Sequence, residues 1–371
     1  MLTDLKDTEI KELSEVYDPE NKDTYITLYL DVDSLDNKFL ERRKKSCKSV
    51  LKGEKDLLEN FDRTMQIIED HVGKSGRKKD RKGIVIFASD IHNFLKVYEL
   101  KIPVENLMVV DTSPYIRPLA RLIDEYEAFG LVLLDSQRAK IYVVSSGKAE
   151  VAKKKGVDII NKHKKGGWSQ ARFQRLRKGA IDHFLKEVSE DVEKLFREDD
   201  IKKIIIAGSG TAKTTFKDFL SPNIKSNVVD VIDIDFDDAE GIIISRAEEI
   251  VSEDEKKRSD ENVMRLREEI LRDGLAVHGL KGTMDAVVNG QMYLLLISKD
   301  YKIRGWICEK CQTVDSGVSE KCPYCESDTS EVDVIEEIIE FSKRKDTKIE
   351  FVGDNPVLDE LGGVGGLLRY R

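Results

Sequence analysis

Four cysteines stand in two closely spaced pairs towards the C-terminal end of the sequence. Cys308 and Cys311 form one Cys-x2-Cys pair, Cys322 and Cys325 form the second, and ten residues separate the pairs. Two such pairs supply four thiolates within tetrahedral reach, which is the ligand set of structural Zn²⁺. Because four protein ligands leave no open coordination position, the sequence predicts a metal that stabilises the fold rather than one that catalyses a reaction. Degenerate pairs without metal, or a redox pair, are the alternatives.

A second stretch with the potential for chemistry runs from Lys162 to Lys178. It contains seven Lys or Arg residues and no acidic residue. At its centre the adjacent Gly166 and Gly167 precede Trp168 and Gln170. Adjacent glycines allow backbone conformations that are closed to other residues. The pattern predicts a cationic loop on a helix N-terminus that can approach phosphates closely.

Gln170 is the candidate for chemistry in this stretch. Its neutral amide both donates and accepts hydrogen bonds, so it can position a water molecule against an ester carbonyl or contribute to an oxyanion site. His163 lies among lysines and is interpreted as a phosphate contact rather than a general base. The alternative interpretation is a flexible glycine turn in which Trp168 anchors the surface and Gln170 merely neighbours a helix cap.

A third stretch, Gly208 to Thr214, has a superficial similarity to a phosphate-binding P-loop. The P-loop pattern would require glycines at positions 207 and 212, and both are alanine here. The stretch is therefore predicted to be a turn between a strand and a helix.

Composition limits the classes of function. The net charge is −9, yet the charges are segregated, with acids concentrated at 230–238, 248–255 and 331–340 and bases around the glycine pair. A local basic patch governs an encounter with RNA more than the overall sum does. Apolar runs of transmembrane length and a signal-peptide pattern are both lacking, so we expect a cytoplasmic protein that does not bind a membrane. Cys47 is expected to be an unpaired bystander.

Hydrophobic periodicity predicts a mixed α/β (α+β) protein with three domains, 1–118, 119–270 and 271–371. An apolar stripe from Phe173 to Leu195 predicts a long helix over about six turns. Strands are predicted at Tyr25–Val32, Ile84–Phe87, Phe94–Tyr98, Leu107–Val110, Leu131–Leu134, Ala139–Val144, Ile204–Ala207, Val228–Ile234, Tyr293–Ser298 and Lys348–Val352. Other helices are predicted at 36–73, 119–126, 241–271, 283–288 and 331–341. The glycine-rich tail at 362–366 is expected to be flexible.

Three of these stretches resemble the archaeal and eukaryotic class-1 peptide chain release factors and their relatives, Pelota and the Vms-like peptidyl-tRNA-releasing factors. The run from Lys164 to Arg177 looks like the family's Gly-Gly-Gln loop and the helix after it. The strand and turn at 206–214 and the segment 274–298 are similar to later parts of the family pattern. The resemblance implies a three-domain release-factor-like architecture, and in archaeal members a four-Cys zinc ribbon inserted in the C-terminal domain.

The sequence also departs from the family pattern. Trp168 occupies the position of the family's Gln, so Gln170 lies two positions late. The Asn-Ile-Lys-Ser motif of stop-codon recognition is missing from the first domain and occurs only at 223–226, where we interpret it as coincidental. The resemblance therefore favours peptidyl-tRNA hydrolysis over stop-codon decoding.

The resemblance implies a factor that releases nascent chains from peptidyl-tRNA on the ribosome, in ribosome rescue or quality control. Gly166, Gly167 and Gln170 are the predicted catalytic residues. The predicted contacts to ribosomal RNA and tRNA are Lys162, His163, Lys164, Lys165, Arg172 and Arg175. A solvated helix face is the alternative for the two arginines, and a translational GTPase is the expected partner of the C-terminal domain. Stop-codon-dependent release, a non-catalytic Pelota-like role and cleavage of the tRNA 3′ end are the alternative functions.

Overall fold

The computed structural model describes residues 7–18, 20–32, 37–74, 81–145, 148–156, 168–308 and 310–371. Within these ranges the helices are α1 (Asp7–Ser14), α2 (Asn37–Val50), α3 (Lys55–Lys74), α4 (Arg117–Glu125), α5 (Trp168–Glu198), α6 (Ala212–Phe216), α7 (Pro222–Ser226), α8 (Glu240–Leu271), α9 (Gly279–Val288), α10 (Val334–Arg344) and α11 (Pro356–Glu360). The described ranges contain no helix that is both long enough and apolar enough to cross a membrane.

Within the described ranges the strands form four sheets. Their bounds are β1 (Tyr25–Asp31), β2 (Gly83–Ser89), β3 (Phe94–Leu100), β4 (Leu107–Asp111), β5 (Phe129–Leu134), β6 (Arg138–Ser145), β7 (Lys148–Gly156), β8 (Ile204–Gly208), β9 (Val228–Asp233), β10 (Ala276–His278), β11 (Met292–Ser298), β12 (Arg304–Cys308), β13 (Val314–Ser316), β14 (Thr329–Asp333), β15 (Lys348–Val352) and β16 (Val364–Leu368). The predicted mixed α/β class is thus confirmed.

The N-terminal sheet has the strand order β3-β2-β1-β4, and β1 pairs antiparallel with both neighbours. Alternate residues of a strand point to opposite faces. Ile26 and Leu28 accordingly pack with Phe61 and Met65 of α3, while Tyr29 enters a different core on the opposite face. The predicted helix at 36–73 is two helices, because a 3₁₀ turn at Leu51–Gly53 separates α2 from α3.

The C-terminal sheet has the order β10-β16-β11-β15. The expectation of a flexible glycine-rich tail is wrong, since Val364–Leu368 is a buried strand between β10 and β11. A Cβ atom added to Gly366 would lie 2.6 Å from the carbonyl oxygen of Leu294. Here the glycines allow close approach of neighbouring strands rather than mobility.

The chain divides into two compact units, residues 1–125 with 259–371, and residues 126–258. In the first unit, one hydrophobic core joins the N-terminal sheet and the C-terminal sheet through α1, α4 and α10. Buried Glu336 of α10 accepts hydrogen bonds from the backbone N–H groups of Ile116 (2.7 Å) and Arg117 (3.2 Å) at the start of α4. The predicted helix at 331–341 begins later, at Val334, because residues 329–333 form strand β14. The three predicted domain ranges stay predictions.

The second unit is built on a sheet of order β7-β6-β5-β8-β9, in which β8 is parallel to β5 and β9. The C-terminal half of α5 packs on one face through Phe184, Val188 and Val192. Residues Ile243, Ala247 and Val251 of α8 pack on the opposite face. Sequence periodicity missed β7, whose residues carry four lysines and little apolar pattern.

Candidate functional site

The first candidate site is the N-terminal part of α5. Trp168 and Gln170 lie in the first turn of this helix, and their side chains are outside the described set. The predicted residues Lys162, His163, Lys164, Lys165, Gly166 and Gly167 lie outside the described residues.

The apolar stripe predicted along α5 is buried only in its second half. Leu176, which belongs to that stripe, is 58% exposed, whereas Phe184 is 1% exposed. Arg172 and every residue from 174 to 179 are exposed. Since an α-helix rises about 1.5 Å per residue, the backbone of Gln170 lies roughly 21 Å along the axis from Phe184. The first three turns of α5, which we call the projecting segment (168–179), therefore extend beyond the hydrophobic core.

The projecting segment is cationic around its circumference. Successive residues of a helix turn by about 100°. The exposed cations, which this rotation directs to different sides, are Arg172, Arg175, Arg177 and Lys178. A helix with one basic face suits a flat anionic surface, whereas a segment with cations on several sides suits insertion into an anionic cavity. Arg177 and Lys178 were not among the predicted contacts, although the acid-free cationic run from Lys162 to Lys178 includes both.

The supporting half of α5 is anchored by ion pairs as well as by apolar packing. Asp191 bonds to Lys153 and to Lys155, the latter at 3.4 Å, and both lysines belong to β7. These lysines lower the pKa of Asp191 even though partial burial opposes this effect. The strand that precedes the undescribed segment 157–167 is thus joined to the helix that follows it.

The second candidate site is the cluster formed by Cys308, Cys311, Cys322 and Cys325. The four Sγ atoms lie within 4.8 Å of one another. The Sγ distances are 3.4 Å for Cys308–Cys325, 3.5 Å for Cys311–Cys322 and 3.6 Å for Cys311–Cys325. A tetrahedral ion with metal–sulfur bonds of about 2.3 Å needs sulfur–sulfur distances of about 3.8 Å. These four cysteines can therefore hold one metal ion.

Two similar turns present these thiols. The N–H of Gln312 donates to the carbonyl of Cys308 (2.8 Å), and the N–H of Glu326 donates to that of Cys322 (2.9 Å). Gln312 and Glu326 both have positive φ, 57° and 60°. The matching conformations place the second thiol of each pair towards the other pair. The antiparallel sheet β13-β12-β14 supports the cluster from below, with Trp306 packed against Cys308 and Cys322.

The electrostatic environment of the thiols is uneven. Hydrogen bonds from the side chain and backbone of Thr313 lower the pKa of Cys311 to about 6. Burial raises the pKa of Cys308 to about 11. The backbone N–H of Ser327 lowers the pKa of Cys325. The thiolate, rather than the thiol, is the form of cysteine that binds a metal, and hydrogen bonds favour this form at Cys311 and Cys325. Binding of a cation would displace the proton of the buried Cys308 thiol.

The P-loop-like stretch is a strand-to-helix turn, as predicted. Gly208 ends β8, and α6 begins at Ala212. Lys213 is buried, and its Nζ atom donates to the carbonyl of Gly210 (3.0 Å) and pairs with Asp233. The amino group that would contact a phosphate is thus held within the fold.

The fold and the two sites define a mixed α/β protein with a projecting cationic helix and a four-thiol cluster. The family described as "Bacterial archaeo-eukaryotic release factor family 10" matches residues 114–251, and "eRF1 domain 3" matches residues 257–371. Residues 114–251 and 257–371 therefore belong to domain families of the archaeal and eukaryotic release factors.

Similar proteins include archaeal release factors. The chain is 28% identical over 285 residues to "Peptide chain release factor subunit 1" of Archaeoglobus fulgidus, covering 70% of each chain. It is 25% identical over 358 residues to the protein of the same name from Thermococcus sibiricus, covering 85% of each. Among solved structures, Dom34 of S. cerevisiae, described as a translation termination-like factor, matches with a TM-score of 0.43 and 15% identity, over 77% of this chain and 79% of that one.

Proposed function

We propose that this release-factor-like translation factor hydrolyses the ester bond of peptidyl-tRNA on the ribosome, without decoding stop codons. The observation that carries the proposal is the projecting segment of α5, a rigidly mounted cationic helix in a chain of net charge −9. Such a helix can deliver the residues at its N-terminus into a cavity lined by RNA phosphates.

Each candidate residue has a distinct role in this proposal. Gly166 and Gly167 allow the backbone to approach the ester, and the Gln170 amide orients the attacking water. The charged contacts to ribosomal RNA and the tRNA end are Lys162, His163, Lys164, Lys165, Arg172 and Arg175. No protein carboxylate is required, because the amide acts by positioning and by hydrogen bonding.

The test is peptide release from ribosomes loaded with peptidyl-tRNA, with a stop codon or a sense codon in the A site. We expect equal release in both cases. Release only with the stop codon would favour a termination factor instead. Binding without release would favour a Pelota-like docking role, and a shortened tRNA would indicate cleavage of the 3′ end.

Glutamine variants separate chemistry from binding. Gln170→Ala should reduce release by about 100-fold or more, as loss of a preorganised hydrogen-bonding group does in other enzymes, and should leave ribosome binding intact. Gln174→Ala is the matched control, because Gln174 is exposed one turn later on the same helix. Normal release by the Gln170 variant would show that the role assigned to Gln170 is wrong.

Charge variants test the insertion of the helix. Replacing Arg172 and Arg175 by Gln should weaken ribosome binding by about tenfold or more at moderate salt, because each phosphate contact adds to the salt-dependent affinity. Replacing Lys194 and Arg197 by Gln removes the same charge from exposed positions at the other end of α5. Equal effects of the two double variants would mean that only net charge matters.

The predicted C-terminal domain (271–371) has a supporting role in this proposal. Cys308, Cys311, Cys322 and Cys325 would hold structural Zn²⁺, which would fix the small sheet that carries them. The C-terminal domain would bind a translational GTPase. We expect co-purification with such a GTPase to be independent of substitutions at Gln170.

A further inference from the structure

Helix α2 carries a second concentration of positive charge that the proposed chemistry does not use. Between Lys38 and Lys48 the sequence contains six Lys or Arg residues and one acid, Glu41. The structure places these residues on a surface helix whose apolar side chains Phe39 and Leu40 pack against the N-terminal core.

Three basic residues of α2 bond to other elements, and one of them, Arg43, donates to the backbone carbonyl of Met108 in β4 (2.8 Å). Lys44 pairs with Glu69 (2.6 Å) and Lys48 pairs with Asp62 (2.5 Å), so these two lysines join α2 to α3. Lys38, Arg42 and Lys45 are exposed and follow the spacing i, i+4, i+7, which places them on one face of the helix. We call these three residues the α2 ridge. Lys52, in the turn after α2, is exposed as well.

We propose that the α2 ridge binds the phosphate backbone of double-helical RNA. The ridge is a straight line of cations about 10 Å long on a rigid helix. A nucleic acid duplex carries roughly one negative charge per 1.7 Å of its axis, so a line of this length faces several phosphates at once.

The residues around the ridge favour a duplex over other partners. Recognition of single strands relies on exposed aromatic side chains that stack on bases, and the exposed residues beside the ridge, Glu41, Ser46 and Ser49, include no aromatic residue. A membrane-surface helix needs several large apolar side chains beside its cations, whereas the exposed apolar residue of α2, Val50 (84% exposed), lies at the C-terminal end of the helix. Double-helical RNA is recognised largely through its backbone and shape, for which a line of Lys and Arg is sufficient.

The test measures binding of the full-length protein to an RNA duplex of about 16 base pairs, by fluorescence anisotropy, between about 50 and 200 mM KCl. The decisive variant is Arg42→Gln/Lys45→Gln. Two lost phosphate contacts should lower the salt-dependence slope by about two and weaken binding by up to about 60-fold at 0.1 M salt. A single-stranded RNA of the same length should be affected less.

The matched control is Lys44→Gln/Lys48→Gln, which removes the same charge from the same helix at positions already paired with α3. We expect it to bind the duplex nearly as wild type does. If this control lowers the melting temperature, Lys194→Gln/Arg197→Gln replaces it. The proposal would be overturned if the ridge and control variants lost duplex affinity equally, or if the ridge variant lost none. It would also be overturned if the ridge variant lost more affinity for the single strand than for the duplex.

This inference does not depend on peptidyl-tRNA hydrolysis. Duplex binding is measured without ribosomes and release is measured with them, so failure of one leaves the other standing. Repeating the ridge substitutions in a protein that also carries Arg172→Gln and Arg175→Gln removes part of the α5 contribution. The two effects on the logarithm of the affinity should add if the surfaces act independently.

Discussion

Asp111 offers a quantitative test of the N-terminal core. It ends β4, and burial raises the pKa of its carboxyl group to about 6, above the usual aspartate pKa of about 3.9. Asp23 adds to the shift by charge repulsion, while hydrogen bonds from the backbone N–H (2.7 Å) and hydroxyl (3.3 Å) of Thr112 oppose it. Above pH 6 the folded protein therefore holds a charge at a partly buried position, which the unfolded chain would leave in water.

The sign and size of the effect of Asp111 on the free energy of unfolding follow from proton linkage. Because the folded-state pKa is above the unfolded one, the folded state binds the proton more tightly, and stability falls as pH rises from about 4 to 6. A shift of about two units corresponds to roughly 3 kcal/mol, which is an upper limit for the penalty. Asp111→Asn keeps an oxygen that accepts both Thr112 hydrogen bonds and removes the charge. We expect this variant to be more stable than wild type by about 1–3 kcal/mol at pH 8 and by less than about 0.5 kcal/mol near pH 4.

Urea unfolding at pH 4, 5, 6 and 8, followed by fluorescence and circular dichroism, measures this difference. Asp354→Asn is the control, because Asp354 is exposed and its replacement removes the same charge. The electrostatic reasoning would be refuted if the stability gained by Asp111→Asn at pH 8 persisted unchanged at pH 4. It would also be refuted if the variant were no more stable than wild type at pH 8.

Two further predictions concern the predicted C-terminal domain (271–371). Purified protein should contain one zinc ion per chain. Cys322→Ser should lose the zinc ion and show faster amide hydrogen exchange in β12, whereas the control Cys47→Ser should retain the ion. A wild-type protein without zinc, or a Cys322→Ser variant that keeps it, would contradict the proposed ligand set. Gly366→Ala should destabilise the protein by about 1–3 kcal/mol or more in urea unfolding, since its Cβ would lie 2.6 Å from a backbone oxygen. Gly353→Ala, at a position with open space, should change stability little, and equal effects of both substitutions would argue against the β16 packing.

The distribution of charge connects the two proposed RNA-binding surfaces. The chain is acidic overall, but the projecting segment of α5 and the ridge of α2 each present cations without a comparable number of acids. Under the two proposals, acids on the remaining surface would disfavour binding of anionic polymers elsewhere, so RNA contact would be confined to these two elements.

Residue type and local spacing alone determined much of this protein. The two cysteine pairs already predicted a cluster of four thiols that can hold a metal ion, because spacing within a short turn limits where two thiols can point. The cationic run at 162–178 likewise predicted a helix N-terminus, and α5 begins within it, at Trp168. Most strands and long helices followed from apolar periodicity, since one buried face imposes a period of two or 3.6 residues.

Only tertiary structure decided which residues of those elements are buried. Leu176 fits the apolar stripe of α5 but is 58% exposed, whereas Phe184, two turns later, is buried in the core. The glycines at 365 and 366 suggested mobility, yet β10 and β11 approach them so closely that only glycine fits. Glu336 has the sequence character of a surface residue, but it is buried where it caps α4, more than 200 residues away along the chain. In each case the deciding neighbour is distant in sequence, and a local pattern carries no information about it.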